Sequence, residues 1–364
     1  MELSLLFFNG EWSHDDPDPY RLFRDSAGWA DENGFHSVWM PERHFATFGG
    51  LYPNPSVTAA SLAFSTKRIG IRAGSIVAPF WDPIRVAEDW ALIDNLSHGR
   101  AGVSFASGWH VNDFCLAPAK YETRRDVTIE HINTVRALWD GEAICRKNGV
   151  GKDTTVQISP LPRSGRKIPI WLTATSDASI ETAAQLGLNL LLSIHHQKIG
   201  SRGMARLEPR IRKYRSGFAE RLSGRKGWVT LLVHTLVCEQ QDLDRIGKPA
   251  YAKYLETNLE LQAQTRNLAG LAGDNQKFII DNAVERMVSD AGLIGTVEHC
   301  RQQLRRFRDA GVDEVACLID FGAPYEMVMD GLRLIKDNLM DMADGFGRVV
   351  NEIESPLRSP ARVV

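Results

Sequence analysis

Hydrophobic positions along this chain fall into two alternating rhythms. Short apolar and β-branched runs, LSLLFF (3–8), SVWMPE (37–42), RIGIRAGS (68–75) and AGVSFASG (101–108), read as buried strands. Between them apolar residues recur at helical spacing. Tyr20, Phe23, Ala27 and Ala30 predict a helix over about 19–33 that stops at Gly34. Val86, Trp90, Ile93 and Leu96 form one stripe of a second helix. Its start is marked by Asp82-Pro83, a capping residue followed by a first-turn proline. The alternation continues through a helix (124–141), a strand (168–175), a helix (177–187) and a strand (189–196). A basic helical stretch (198–222), a strand (228–237), a helix near 248–261, a helix (296–311), a strand (313–320) and a closing helix (324–339) follow. Residues 142–167 read as an inserted loop or small hairpin and 238–295 as a second insertion, of which 263–295 is a candidate lid. Residues 343–364 read as a flexible tail.

Eight strands, each followed by helical or inserted sequence, predict a single TIM (β/α)8 barrel over residues 1–342. An open doubly wound sheet has the same rhythm. It would normally carry a G-x-G-x-x-G or G-x-x-x-x-G-K-[ST] loop after a strand, and this sequence has neither.

Composition narrows the picture. With 43% hydrophobic and 24% charged residues the chain is of ordinary globular type, and a net charge of −2 argues against general nucleic-acid binding. No apolar run is long enough to span a bilayer. The opening MELSLLFFNGEW reads as a strand, not a signal peptide. Five cysteines without a C-x-x-C pair point to reduced thiols and a cytoplasmic protein.

In a barrel the chemistry sits where strands end. Those ends carry Phe8 and Asn9; Glu42, Arg43 and His44; Gly74 and Ser75; Ser107, Gly108 and Trp109; Thr173 to Ser176; His195 and His196; and Asp320. Small, aromatic and polar residues converging there make a plausible pocket for a flat cofactor. Ser176 and Ser179 put hydroxyls and backbone N–H groups at a helix start, which is an anion site or simply a helix cap. Histidine titrates near neutrality, so the Glu42–Arg43–His44 set is the acid/base candidate. His44 could equally be structural, paired with Glu88. Trp109 lines a cavity or packs in the core. Trp12, His14, Asp15, Phe80 and Trp81, in loops over the same face, are candidate substrate contacts, as are His195 and His196. No metal-ligand spacing accompanies the histidines.

The motifs DP-x-R-V-AE…DNLS-x-GR, the strand ending in SGW, and PERHF-x-x-FGGLYPNPS resemble the luciferase-like flavin monooxygenase family. The last of these is similar to a branch linked to polyketide and nonribosomal peptide pathways. The resemblance implies reduced FMN supplied by a separate flavin reductase, O2 as co-substrate, and flavin hydroperoxide chemistry. The substrate would be a natural-product intermediate, free or carrier-bound. It also implies a phosphate site at Thr175, Ser176 and Ser179 with Arg125 or Arg124, and a cis Gly74–Ser75 peptide in a strand bulge against the flavin. A homodimer through the helices that follow strands two and three is implied as well. The family's catalytic histidine aligns with Arg43, so that role does not transfer; Arg43 could hold a carboxylate or stabilise a peroxide anion. A deazaflavin-dependent hydride-transfer enzyme and a non-catalytic flavoprotein or assembly-line interaction module are the rival expectations.

Overall fold

The computed structural model describes residues 1–8, 15–163, 165, 167–193, 203–222, 226–266 and 274–340. Its strands are β1 (Glu2–Leu6), β2 (Ser37–Met40), β3 (Gly70–Val77), β4 (Ala101–Ala106), β5 (Ile144–Lys147), β6 (Asp153–Val156), β7 (Ile170–Ala174), β8 (Asn189–Ser193), β9 (Val229–Val237), β10 (Leu293–Gly295) and β11 (Glu314–Leu318). Its helices are α1 (Arg21–Glu32), α2 (Pro55–Ser65), α3 (Pro83–Leu96), α4 (Arg124–Trp139), α5 (Asp177–Gln185), α6 (Gly203–Arg221), α7 (Gln240–Asp242), α8 (Lys248–Arg266), α9 (Asp274–Arg286), α10 (Val297–Asp309) and α11 (Tyr325–Asn338).

Strands β1, β2, β3, β4, β7, β8, β9 and β11 pair in parallel in that order. β11 returns to β1, and β8 pairs with β9, so the sheet closes into the eight-stranded barrel that the sequence predicts. The first and last strands are joined again by the Ser4 hydroxyl on Glu314, and the residues just beyond them by the Phe8 N–H on the Asp320 carboxylate at 2.9 and 3.1 Å. Outward apolar side chains of the strands bury against the helical ring. Val86, Trp90 and Ile93 of the expected α3 stripe are core residues, and the Asp82 side chain caps α3 by accepting the Ile84 N–H at 2.8 Å.

The inward residues near the amino-terminal ends form a polar floor. Glu314, fully buried, accepts from Ser4, from Ser37 (2.8 Å), from the indole N–H of Trp39 (2.9 Å) and of Trp228 (3.1 Å), and from Thr230 (2.8 Å). Trp39 packs edge-on to Trp171, over which the Arg72 guanidinium lies at 5.3 Å. The barrel is therefore filled below and can receive a ligand only above.

One short strand was not expected, and two insertions acquire elements, the first of them the small hairpin that the sequence reading allowed. β10 is an extra short strand beside the outer half of β9, outside the closed ring. The 142–167 insertion contains the antiparallel hairpin β5–β6. The stretch read as a lid holds the end of α8, then α9 and β10; its residues 267–273 lie outside the described residues, as does the tail 343–364. The strand ends are also shorter than expected: β1 stops at Leu6 and β2 at Met40, freeing Phe8 and Glu42 to act as loop residues.

Candidate active site

The loop after β2 carries three ionisable side chains in succession, Glu42, Arg43 and His44. Glu42 has no exposed side-chain surface. Its carboxylate accepts the Val77 N–H (2.6 Å) and the Trp81 indole N–H (2.7 Å), and the same Oε1 lies 3.0 Å from His44 Nε2. Burial pushes the Glu42 carboxyl up, against the opposing pull of these hydrogen bonds. The expected His44–Glu88 pairing is not present: Glu88 is half-exposed on α3 and bound by Arg85 at 2.8 Å, one helical turn away. His44 is held instead by Glu42 and packs against Phe80, with ring centroids 5.6 Å apart. The next residue, Phe45, has φ +58° and is 68% exposed on the rim. A bulky residue in the left-handed region beside candidate chemistry is the kind of local strain that functional sites retain.

Arg43 is almost wholly buried and donates Nη1 to Asp113 Oδ2 at 2.6 Å. Burial lowers its pKa, and the Asp113 charge opposes that. Asp113 comes from the short 3-10 helix Val111–Leu116 that follows β4, and its other oxygen lies 3.0 Å from His110 Nδ1. The His110–Asp113 spacing of one helical turn brings them together. Trp109 covers both: its ring is 5.1 Å from the Arg43 guanidinium and 5.2 Å from the His110 ring. The sequence reading gave His110 and Asp113 no role, although an H-x-x-D pair after a barrel strand was the available signal.

On β3 the Gly74–Ser75 peptide is cis, and the β3–β4 register shifts between Gly74 and Ile76, so the bulge expected there is present. Ser75 Oγ and Thr173 Oγ1 are hydrogen-bonded, and Thr173 Oγ1 lies 2.8 Å from Ser104 Oγ. Three hydroxyls from β3, β7 and β4 are thus linked in a row, and Ser107 and Gly108 follow directly on β4. Gly108 has φ +78°, and a Cβ there would sit 2.9 Å from both Phe114 and Val77.

At the end of β7, Thr175 is exposed and Ser176 caps α5. The Ser176 and Ser179 side chains complete a reciprocal capping box, each accepting the other's backbone N–H. The cap reading of these serines is therefore real, and the remaining N–H groups of the first turn of α5 stay available to an anion. Arg124 donates to the Tyr121 carbonyl (2.6 Å) and lies over its ring. Arg125 is exposed, with no hydrogen-bond partner among the described residues.

The opposite wall is aromatic. His234 on β9 is buried among Tyr251, Tyr254 and Phe321, with centroids 5.0, 4.9 and 5.7 Å away. Burial raises the pKa of Tyr254 well above the ordinary phenol value, and the nearby Asp320 charge adds to the rise. The sequence reading did not single out His234; its inward register, two positions above Leu232, was the signal. Trp81 stands at the mouth through Glu42. Trp12, His14, His195 and His196 lie outside the described residues. Among the described residues no group of three His, Cys, Asp or Glu side chains gathers as a metal site, and no helix is long and apolar enough to cross a membrane.

Fold and strand ends together define a (β/α)8 barrel with linked hydroxyls and charged groups gathered at one end. A family model described as luciferase-like monooxygenase matches residues 1–314. The chain belongs to that family of flavin-dependent monooxygenases. It is 24% identical to the oxygenase component of flavin-dependent trigonelline monooxygenase of Acinetobacter baylyi over 324 residues, 85% of this chain and 86% of that protein. To the alkanal monooxygenase alpha chain of Photorhabdus luminescens it is 24% identical over 319 residues, 85% of this chain and 88% of that one. Among solved structures, monooxygenase RslO1 from Streptomyces bottropensis superposes with TM-score 0.77 at 21% identity, covering 94% of this chain and 99% of that one. An F420-dependent secondary alcohol dehydrogenase has the same fold, with TM-score 0.68 at 16% identity over 94% of this chain and all of that one (100%).

Proposed function

We propose that this protein is the oxygenase of a two-component system, taking reduced FMN from a separate flavin reductase and using O2 to oxygenate a natural-product intermediate, free or carrier-bound. The observation that carries the reading is the hydroxyl row Ser75–Thr173–Ser104 leading toward the open first turn of α5. That donor set suits a planar ring with a polar edge and an anionic tail. Gly74, Ser75, Ser107, Gly108 and Trp109 would line the ring. Thr175, Ser176 and Ser179 with Arg125, or Arg124, would meet the phosphate.

Bound reduced flavin supplies the activation of O2. The chain's own part is to orient and to exclude water. Glu42 fixes the mouth by tying the β3 end, Trp81 and His44 to one carboxylate, and Trp81, Phe80 and Phe45 offer an apolar rim to the substrate. Free cysteines, two of them exposed (Cys115 and Cys145), suit a reducing cytoplasm.

The test is titration with FMN and with F420, followed by mixing of the reduced FMN complex with O2. Saturable uptake of FMN, and flavin oxidation whose course the protein alters, are expected. Preferential uptake of F420 would favour hydride transfer instead, and uptake of neither would remove the reading.

Val57 and Phe64 on α2 and Leu92 on α3 are large apolar side chains left exposed, 64%, 78% and 49% respectively. They support pairing of two copies through these helices. Light scattering is expected to give twice the chain mass, and Phe64→Glu to shift it toward the monomer; a monomeric wild type would end that proposal.

A further inference from the structure

The oxygenase reading leaves three buried atoms at the mouth without a task. Arg43 Nε, Arg43 Nη2 and His110 Nε2 have no hydrogen-bond partner among the described residues. Buried polar atoms in native proteins are nearly always satisfied, and an exception calls for an explanation, a catalytic role among them. The three belong to one assembly. Asp113 takes Arg43 Nη1 on one oxygen (2.6 Å) and faces His110 Nδ1 with the other (3.0 Å). A carboxylate has no proton to give, so Nδ1 donates to it, and in the neutral form of the ring Nε2 is an acceptor. This is the arrangement by which a carboxylate orients an imidazole base. The Arg43–Asp113 pair is already neutral as a unit, and its Nε and Nη2 nitrogens are left as donors.

Two donors and one acceptor, on two side chains that share the Asp113 carboxylate and lie under the same indole, define the group that would satisfy them. A carboxylate or a ketone would use the donors and leave Nε2 bare. A hydroxyl that can ionise uses all three. We propose that Arg43 and His110 bind an acidic hydroxyl of the substrate, a phenol or an enol: its O–H bond breaks, the proton passes to His110 Nε2, and the electron pair stays on an oxygen held by Arg43 Nε and Nη2. The imidazolium so formed lies against Asp113, which acts as a positioning residue. Trp109, 41% exposed and ranged over both groups, is the cover that must swing aside, and it presents a flat face to an unsaturated ring. The inference rests on the oxygenase reading for its place in a reaction. It deepens that reading by naming the substrate class, since ionising a phenol or enol enriches its carbon skeleton in electrons and suits hydroxylation.

The probe is 4-nitrophenol, whose anion has a visible absorption band that the neutral phenol lacks. Full-length protein is titrated in buffer acid enough to keep the free probe neutral, with 4-nitroanisole as the control that has no proton to lose. Saturable growth of the phenolate band is expected for wild type. Arg43→Gln should weaken probe binding roughly tenfold or more. His110→Asn should abolish the band even where probe still binds, and Asp113→Asn should reduce it. Circular dichroism establishes that each variant is folded. Should Arg43→Gln fail to fold, His110→Asn alone decides. No band with wild type, a band unchanged in His110→Asn, or equal binding of 4-nitroanisole overturns the proposal. FMN uptake by wild type without a band sinks this inference and spares the oxygenase; a band without FMN uptake does the reverse.

Discussion

Replacing Glu314 by alanine is expected to cost about 3–5 kcal/mol of stability, the scale for stripping one partner from a buried charged network. The carboxylate sits beneath the mouth and is the common acceptor for Ser4, Ser37, Trp39, Trp228 and Thr230, which come from β1, β2, β9 and the residue preceding β9. Without it five donors lose their acceptor, and Arg72 loses the opposing charge it faces. Burial is the largest single influence on this carboxyl and pushes its pKa up. The His36 charge and the bonds from Ser4, Trp39 and Ser37 outweigh it, so the net direction is down. A carboxyl lowered in the fold contributes stability above its unfolded pKa, and that contribution is lost as pH falls through the folded value. Glu314→Gln should therefore be less stable than wild type at neutral pH and should close part of the gap on acidification. Denaturant midpoints across that acid window check this, and parallel curves for the two proteins would contradict it.

Gly108→Ala is expected to cost roughly 2–5 kcal/mol, combining a left-handed residue with a side chain and an overpacked contact. The added Cβ would lie 2.9 Å from both Phe114 and Val77, so two buried side chains on different elements must give way at once. The loop from Ser107 to Leu116 would have to move, carrying Trp109, His110 and Asp113 away from Arg43. A lower denaturant midpoint and weaker FMN uptake are the expected readings. A variant equal to wild type in both would mean that this turn does not set the mouth.

The closed barrel was legible because its signals are local. Each strand is a short apolar run, and the Asp82-Pro83 start of α3 is written in adjacent residues. The cis Gly74–Ser75 peptide came only through family resemblance, since glycine by itself says no more than that backbones approach closely. What escaped depends on register. Glu314 sits in DEVACLID beside residues that point outward, and nothing local says that its side chain turns toward Ser4 and Trp228. The partner of His44 was misplaced for a related reason: Glu88 lies on a helix that passes nearby, whereas Glu42 is two residues away in a loop whose fold the sequence does not spell out. β10 was missed because three residues, Leu293–Gly295, are too few to carry a period. Arg43, Asp113 and His110 meet only because the loops after β2 and β4 fold over the same opening.

The hydrogen bonds from Phe8 and Ser4 to Asp320 and Glu314 span 312 and 310 residues of chain. Like the hoop of a cask, they are fastened only when the last stave stands beside the first. A nascent polypeptide lacking its final segment therefore has an unclosed cylinder with raw edges, and the cleft comes into being all at once, late in synthesis, when non-local pairing is finally repaid.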